Sequence, residues 1–120
     1  MKRRRVLIVE SDVMVRLAIE ASLTDLGPVA FISRRSALAA RDILHERVDF
    51  AFISASGADA GTFALARALM ARDVAFAFIA SESGDELPRV WRAHTRVTKS
   101  PRRASVQTAL QQAAEDLLVA

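Results

Sequence analysis

The chain has 120 residues, 52% of them hydrophobic and 26% charged, with a formal net charge of +3 at pH 7. Such a length and composition suit one globular domain, residues 1–120, and exclude a disordered chain. It has no cysteine, which excludes disulfides, thiolate metal sites and cysteine catalysis.

No apolar run reaches the roughly 18–20 residues that span a bilayer, so no membrane role is expected. The start, MKRRRVLIVE, is basic and then apolar, but Glu10 interrupts it and no small-residue cleavage site follows. It therefore reads as the first strand of a cytoplasmic protein and not as a leader. The Lys2–Arg5 cluster could meet nucleic acid or an anionic surface. No helix-turn-helix or zinc pattern follows to read bases, so the cluster is read as a solvated terminus and a nucleic-acid role ranks last. His45 and His94 lack metal-ligand spacing and are expected at the surface.

Arg5–Glu10 is a continuous aliphatic run, as suits a strand buried on both faces. Ser11 or Asp12 can cap the helix that follows. That helix, Val13–Leu26, has apolar residues at helical spacing: Val13, Leu17 and Ala21, with Ile19, Leu23 and Leu26. Gly27-Pro28 stops it. Val29–Ser33 is a second strand. Ser36–Arg47 is alanine-rich and predicts a helix with Leu38, Ile43 and Leu44 inward. Val48–Ser54 is a third strand ending on a small hydroxyl residue. Ala55–Gly61 is a loop of small residues. Its backbone N–H groups could cradle an anion, but it lacks the lysine ending of a P-loop and reads as a crossover. A helix over Thr62–Arg72 leads to Val74–Ala80, a wholly apolar strand expected in the middle of the sheet. Ser81–Glu86 is polar, Leu87–Ala93 predicts a short helix containing Trp91, and Arg96–Thr98 a brief fifth strand. Ser100-Pro101 turns the chain into a last helix, Ser105–Leu118. Strands alternating with helices imply a parallel sheet covered on both faces by right-handed crossovers. In such sheets, sites lie at the carboxyl ends of the strands.

Five βα units that open RVLIVESD, carry VAFAFIASESGDELP in the middle and end on VTKSP resemble the receiver domain of two-component response regulators over essentially the whole chain. The resemblance implies a flavodoxin-like (βα)5 fold with strand order 2-1-3-4-5. It also implies a pocket in which an aspartate ending the third strand accepts a phosphoryl group beside Mg²⁺. Position by position, this sequence departs from that pattern. Ser54 stands at the acceptor. Of the acidic pair, Glu10 is kept and Ser11 takes the second place. The hydroxyl after the fourth strand falls on Ala80 in a gapless alignment, or on Ser81 after a one-residue shift. Lys99 matches the family lysine, with Pro101 displaced by one.

A serine needs a nearby base to become a strong nucleophile, and no histidine is placed to serve Ser54. Glu10, facing Lys99, is expected to form an ion pair rather than hold Mg²⁺, so that no cofactor is expected; any Mg²⁺ would rest weakly on Glu10 and Asp12. Asp12 is read as a helix cap. The leading expectation is a degenerate receiver, not an enzyme, that binds a histidine kinase, another regulator or a second copy of itself. The face implied is the fourth helix, fifth strand and fifth helix, where Val90, Trp91, Arg92, Arg96, Arg102 and Arg103 gather. Trp91 is equally readable as a packing residue. The alternative keeps phosphoryl or metal chemistry, with Glu10 and Asp12 as ligands and Ser54 as an unusual acceptor.

Overall fold

A computed structural model describes residues 4–24, 28–100 and 102–119, with side chains in the last helix described as far as Gln112. Five strands, β1 (Arg4–Val9), β2 (Val29–Arg34), β3 (Phe50–Ser54), β4 (Ala75–Ile79) and β5 (Arg96–Val97), form one parallel sheet in the order β2-β1-β3-β4-β5. This is the expected sheet and the expected order. Three α-helices accompany it among the described residues: α1 (Val13–Leu23), α2 (Ala60–Ala71) and α3 (Arg103–Val119).

Side chains alternate across a strand, and the alternation divides the core into two layers. Leu7, Val9, Ile53, Phe76 and Phe78 lie on one side with Leu65 and Leu69 of α2. Val6, Ile8, Phe50 and Phe52 lie on the other with Ile19 and Leu23 of α1 and Val106 and Ala109 of α3. The middle strand is β3. Strand β4, expected there from its wholly apolar run, lies between β3 and the edge strand β5 but is buried throughout. Its large residues, Phe76 and Phe78, face one layer, while the small Ala75 and Ala77 face the layer that holds α3. Each fully buried phenylalanine contributes about 1.5–3 kcal/mol.

Phe76 and Phe78 belong to an aromatic cluster with Phe63, Trp91 and His94. His94 corrects an expectation: it is half-buried and engaged, not an ordinary surface residue. Its ring stacks on Phe76 at 4.2 Å and its Nε2 lies 2.9 Å from the Phe76 carbonyl oxygen. His45 is exposed, as expected. Trp91 is half-buried against Phe63, Phe76 and Phe78, so its indole packs.

The helices expected at Ser36–Arg47 and Leu87–Ala93 do not form as α-helices. The first is a run of turns followed by a 3₁₀ helix at Arg41–His45. Its buried residues, Ala37, Ala40 and Ile43, recur every third position, which is the 3₁₀ period and not the 3.6 of an α-helix. Leu38, expected inward, is consequently 74% exposed, while Ile43 is buried and Leu44 packs on the core. The second shrinks to a 3₁₀ turn, Arg89–Trp91, preceded by Pro88. Proline disfavours α-helical backbone at the residue before it, which keeps Leu87 out of the turn.

Among its described residues, α1 buries Val15, Ile19, Ser22 and Leu23 and leaves Val13, Leu17 and Ala21 in solvent. Leu26 and Gly27 of the expected stop lie outside the described residues, as do Lys2, Arg3 and Pro101. Helix α2 starts two residues before the expected Thr62, because Asp59 caps it. The Asp59 carboxylate accepts from the Thr62 N–H at 3.1 Å and the Thr62 hydroxyl lies 3.2 Å from the Asp59 N–H. This reciprocal pair satisfies two otherwise orphaned donors.

Candidate functional site

Four strands deliver the predicted pocket residues to the carboxyl edge of the sheet. β1 ends at Val9 and passes into Glu10, Ser11 and Asp12. β3 ends on Ser54, β4 is followed by Ala80 and Ser81, and β5 is followed by Thr98 and Lys99. Cross-strand bonds hold the ends level: the Ala55 N–H donates to the Ile79 carbonyl and the Ala80 N–H to the Val97 carbonyl, both at 2.9 Å.

Asp12 caps α1, as its place in the sequence predicts. Its Oδ1 accepts from the N–H groups of Met14 (2.9 Å) and Val15 (3.4 Å). The Asp12 N–H in turn donates to Glu10 Oε2 at 3.1 Å. Glu10 is only 5% exposed, and its Oε1 is buried without a hydrogen-bond partner. A buried polar atom left unpaired costs free energy. The expected ion pair between Glu10 and Lys99 is absent among the described residues. Lys99 reaches Ser56 instead, donating from Nζ to Oγ at 3.2 Å. Ser56 lies two residues beyond Ser54, and its N–H donates to the Ser54 hydroxyl at 3.2 Å. Lysine, Ser56 and Ser54 thus form a continuous chain of contacts across the edge, with Ser54 half-buried.

Ala80 is fully buried and offers no hydroxyl. Ser81 does, but its Oγ donates to Glu86 Oε1 at 2.7 Å, and the same carboxylate oxygen accepts the Ser81 N–H at 3.1 Å. The Ser81 hydroxyl and amide hold the Glu86 carboxyl below the usual carboxylate range, and the Lys99 charge adds to this. The loop closes through Gly84, which sits at φ +70° with the Arg96 guanidinium 2.9 Å from where a Cβ would be. Arg96 donates to the carbonyl oxygens of Arg92 (2.6 Å) and Glu82 (3.0 Å). It therefore clamps two loops rather than presenting a free charge.

The sequence reading passed over Ser56 and Glu86. Serine at the second position after the strand end and the glutamate closing SESGDE were the available signals, but only the folded chain brings either within reach of Lys99.

No three histidine, cysteine or carboxylate side chains converge as a metal site among the described residues. With Asp12 turned to the helix cap, Glu10 is the pocket carboxylate whose buried oxygen is uncommitted. Mg²⁺ prefers an octahedral set of oxygens, commonly one or two carboxylates with phosphate and water, and of such a set this edge offers Glu10 Oε1.

By sequence alone, no protein-family model and no curated protein matches the chain. By structure, it is similar to SdrG from Sphingomonas melonis Fr1, with a TM-score of 0.80 at 23% identity over 94% of this chain and 98% of that one. It is similar to the BeF3-activated conformation of SdrG from Pseudomonas melonis Fr1, with a TM-score of 0.72 at 23% identity over 95% and 99%. It is also similar to a CheY-like response regulator receiver domain protein from Methanospirillum hungatei JF-1, with a TM-score of 0.71 at 14% identity over 98% of each chain. The chain has the receiver fold. In that fold, the edge that carries Glu10, Ser54, Ala80 and Lys99 is the edge at which the sequence resemblance places the phosphorylation pocket.

Proposed function

We propose that this chain is a receiver domain that takes part in signal transduction by binding another protein, without accepting a phosphoryl group on an aspartate. The observation that carries this reading is the Lys99–Ser56–Ser54 chain of contacts. In the receiver pattern, the lysine meets the oxygens of a phosphorylated aspartate. Here Ser54 stands at the acceptor and the lysine rests on a neighbouring hydroxyl of its own chain. The other changes act in the same direction. Ser11 removes a metal-binding carboxylate, Ala80 has no hydroxyl, and that of Ser81 is committed to Glu86.

The partner is a histidine kinase, another regulator or a second copy. The proposed docking face is smaller than the sequence implied, because its helix is only the turn Arg89–Trp91. Val90 projects from that turn at 85% exposure, with exposed Arg92 beside it in the chain and exposed Arg102 just before α3, while Trp91 and Arg96 support it from within. The proposed setting is cytoplasmic; no described helix is long and apolar enough to cross a membrane.

Incubation with acetyl phosphate and Mg²⁺, followed by intact-mass analysis, tests the reading. No phosphoryl adduct is expected. A Mg²⁺-dependent, hydroxylamine-labile adduct would overturn it.

One observation favours a second reading. The unpartnered Oε1 of Glu10 is the atom that a residual cation would take as a ligand. On this reading Glu10 keeps a weak Mg²⁺ site, and Glu10→Gln abolishes any binding seen by calorimetry.

A further inference from the structure

A cleft of about 580 Å³ opens on the α2 side of the sheet, in the space left where the turns and 3₁₀ helix of residues 37–45 stand in place of the expected α-helix. Ligand sites fall in the range of about 300–1,000 Å³ and combine an apolar lining with a few polar groups. The floor is apolar: Val9, Ile53 and Leu65, each almost fully buried. One wall is the small-residue side of α2, with Ala64 and Ala68. The other carries Leu38, whose aliphatic side chain stands 74% exposed at the mouth.

The charges of this cleft are unequal. Arg35 and Arg41 line it, and neither side chain has an ion-pair or hydrogen-bond partner among the described residues; the ion pair nearby joins Arg34 to Asp42. The acidic residue in the lining is Asp59, and its carboxylate is spent on capping α2. An apolar floor beneath two uncommitted guanidinium groups suits an amphiphile with an anionic head, since guanidinium groups bind carboxylate, sulfonate and phosphate oxygens by charge-assisted hydrogen bonds.

We propose that this cleft binds a small anionic amphiphile, its acidic head between Arg35 and Arg41 and its apolar body against Leu38, Ile53, Ala64 and Leu65. The site does not rest on the proposed signalling role, and it adjoins the Lys99 network, sharing Ser54 and Ser56 with it. A binding event there would act on the loop after β3, because Ser54, Ser56 and Gly57 also line the cleft.

The test uses the full chain and anilinonaphthalene sulfonate, an apolar dye with one sulfonate. Saturable one-site fluorescence enhancement is expected, with amide shifts at Ala37, Leu38, Ala64 and Leu65. The double variant Arg35→Gln/Arg41→Gln should weaken binding at least about tenfold, as expected for loss of charged hydrogen bonds, and Ala64→Phe should obstruct the cleft. Arg67→Gln/Arg89→Gln removes the same charge elsewhere and should leave binding unchanged. Equal weakening by both double variants would overturn the proposal, as would non-saturable binding. A cleft that ignores the dye but takes an acidic helical peptide, or that joins two copies in sedimentation, would also overturn it in favour of a macromolecular occupant.

Discussion

At the scale of single residues, the pocket is defined by what each polar group is already doing. Asp12 stands beside the vacated second acidic place, where it could be taken for a metal ligand, yet its carboxylate bonds two N–H groups of α1. Asp12→Ala should therefore cost about 0.5–2 kcal/mol of stability, as other lost caps do. Urea denaturation should give the same loss with and without Mg²⁺; a loss that appears only with Mg²⁺ would make Asp12 a ligand. Residue types at these positions were legible from the sequence, and so was the cap. The destination of Lys99 was not. Its long, flexible side chain could reach either Glu10 or the loop after β3, and the sequence does not place Ser56 within 3.2 Å of its ammonium.

At the scale of elements, local rules and tertiary burial compete. Helix α2 ends with the Val74 N–H donating to the Leu69 carbonyl and the Asp73 N–H to the Met70 carbonyl, and Asp73 adopts φ +56°. This Schellman arrangement is where glycine is preferred. Asp73→Gly should raise stability by about 0.5–1 kcal/mol, read as a higher urea midpoint; a lower midpoint would contradict it. The Ser81–Glu86 loop makes a pH prediction. Because the folded-state pKa of Glu86 is depressed, mainly by the Ser81 hydroxyl, its contribution is present above the unfolded-state pKa and is lost as pH falls through the folded one. The amides of Ser81 and Gly84 should keep their bonded shifts through the ordinary carboxylate range and change only below it. Glu86→Gln should remove that acid step, and a midpoint at or above the ordinary range would contradict the assignment. The segment at residues 36–47 shows what propensity misses. Alanine, arginine and leucine favour an α-helix, but a burial spacing of three selects the 3₁₀ ribbon, leaves Leu38 in solvent and opens the cleft.

At the scale of the whole molecule, the sheet and its order were readable because parallel strands buried on both faces leave long apolar runs such as VLIV and VAFAFIA. The aromatic cluster was less readable. His94 lies in a polar stretch, and only pairing between β4 and β5 brings its ring onto Phe76. The same fold bears on the central proposal, that Lys99 is committed to Ser56 at the carboxyl edge and the edge takes no phosphoryl group. The measurement that tests this most directly is a titration with Mg²⁺ and beryllofluoride, followed at the backbone amides of Ser54, Ser56, Ala80 and Lys99 and by the fluorescence of Trp91. The account predicts no saturable change at any of these positions. Saturable shifts centred on Ser54 and Lys99, accompanied by a Trp91 response, would mean that the pocket still binds a phosphoryl mimic, and would contradict it.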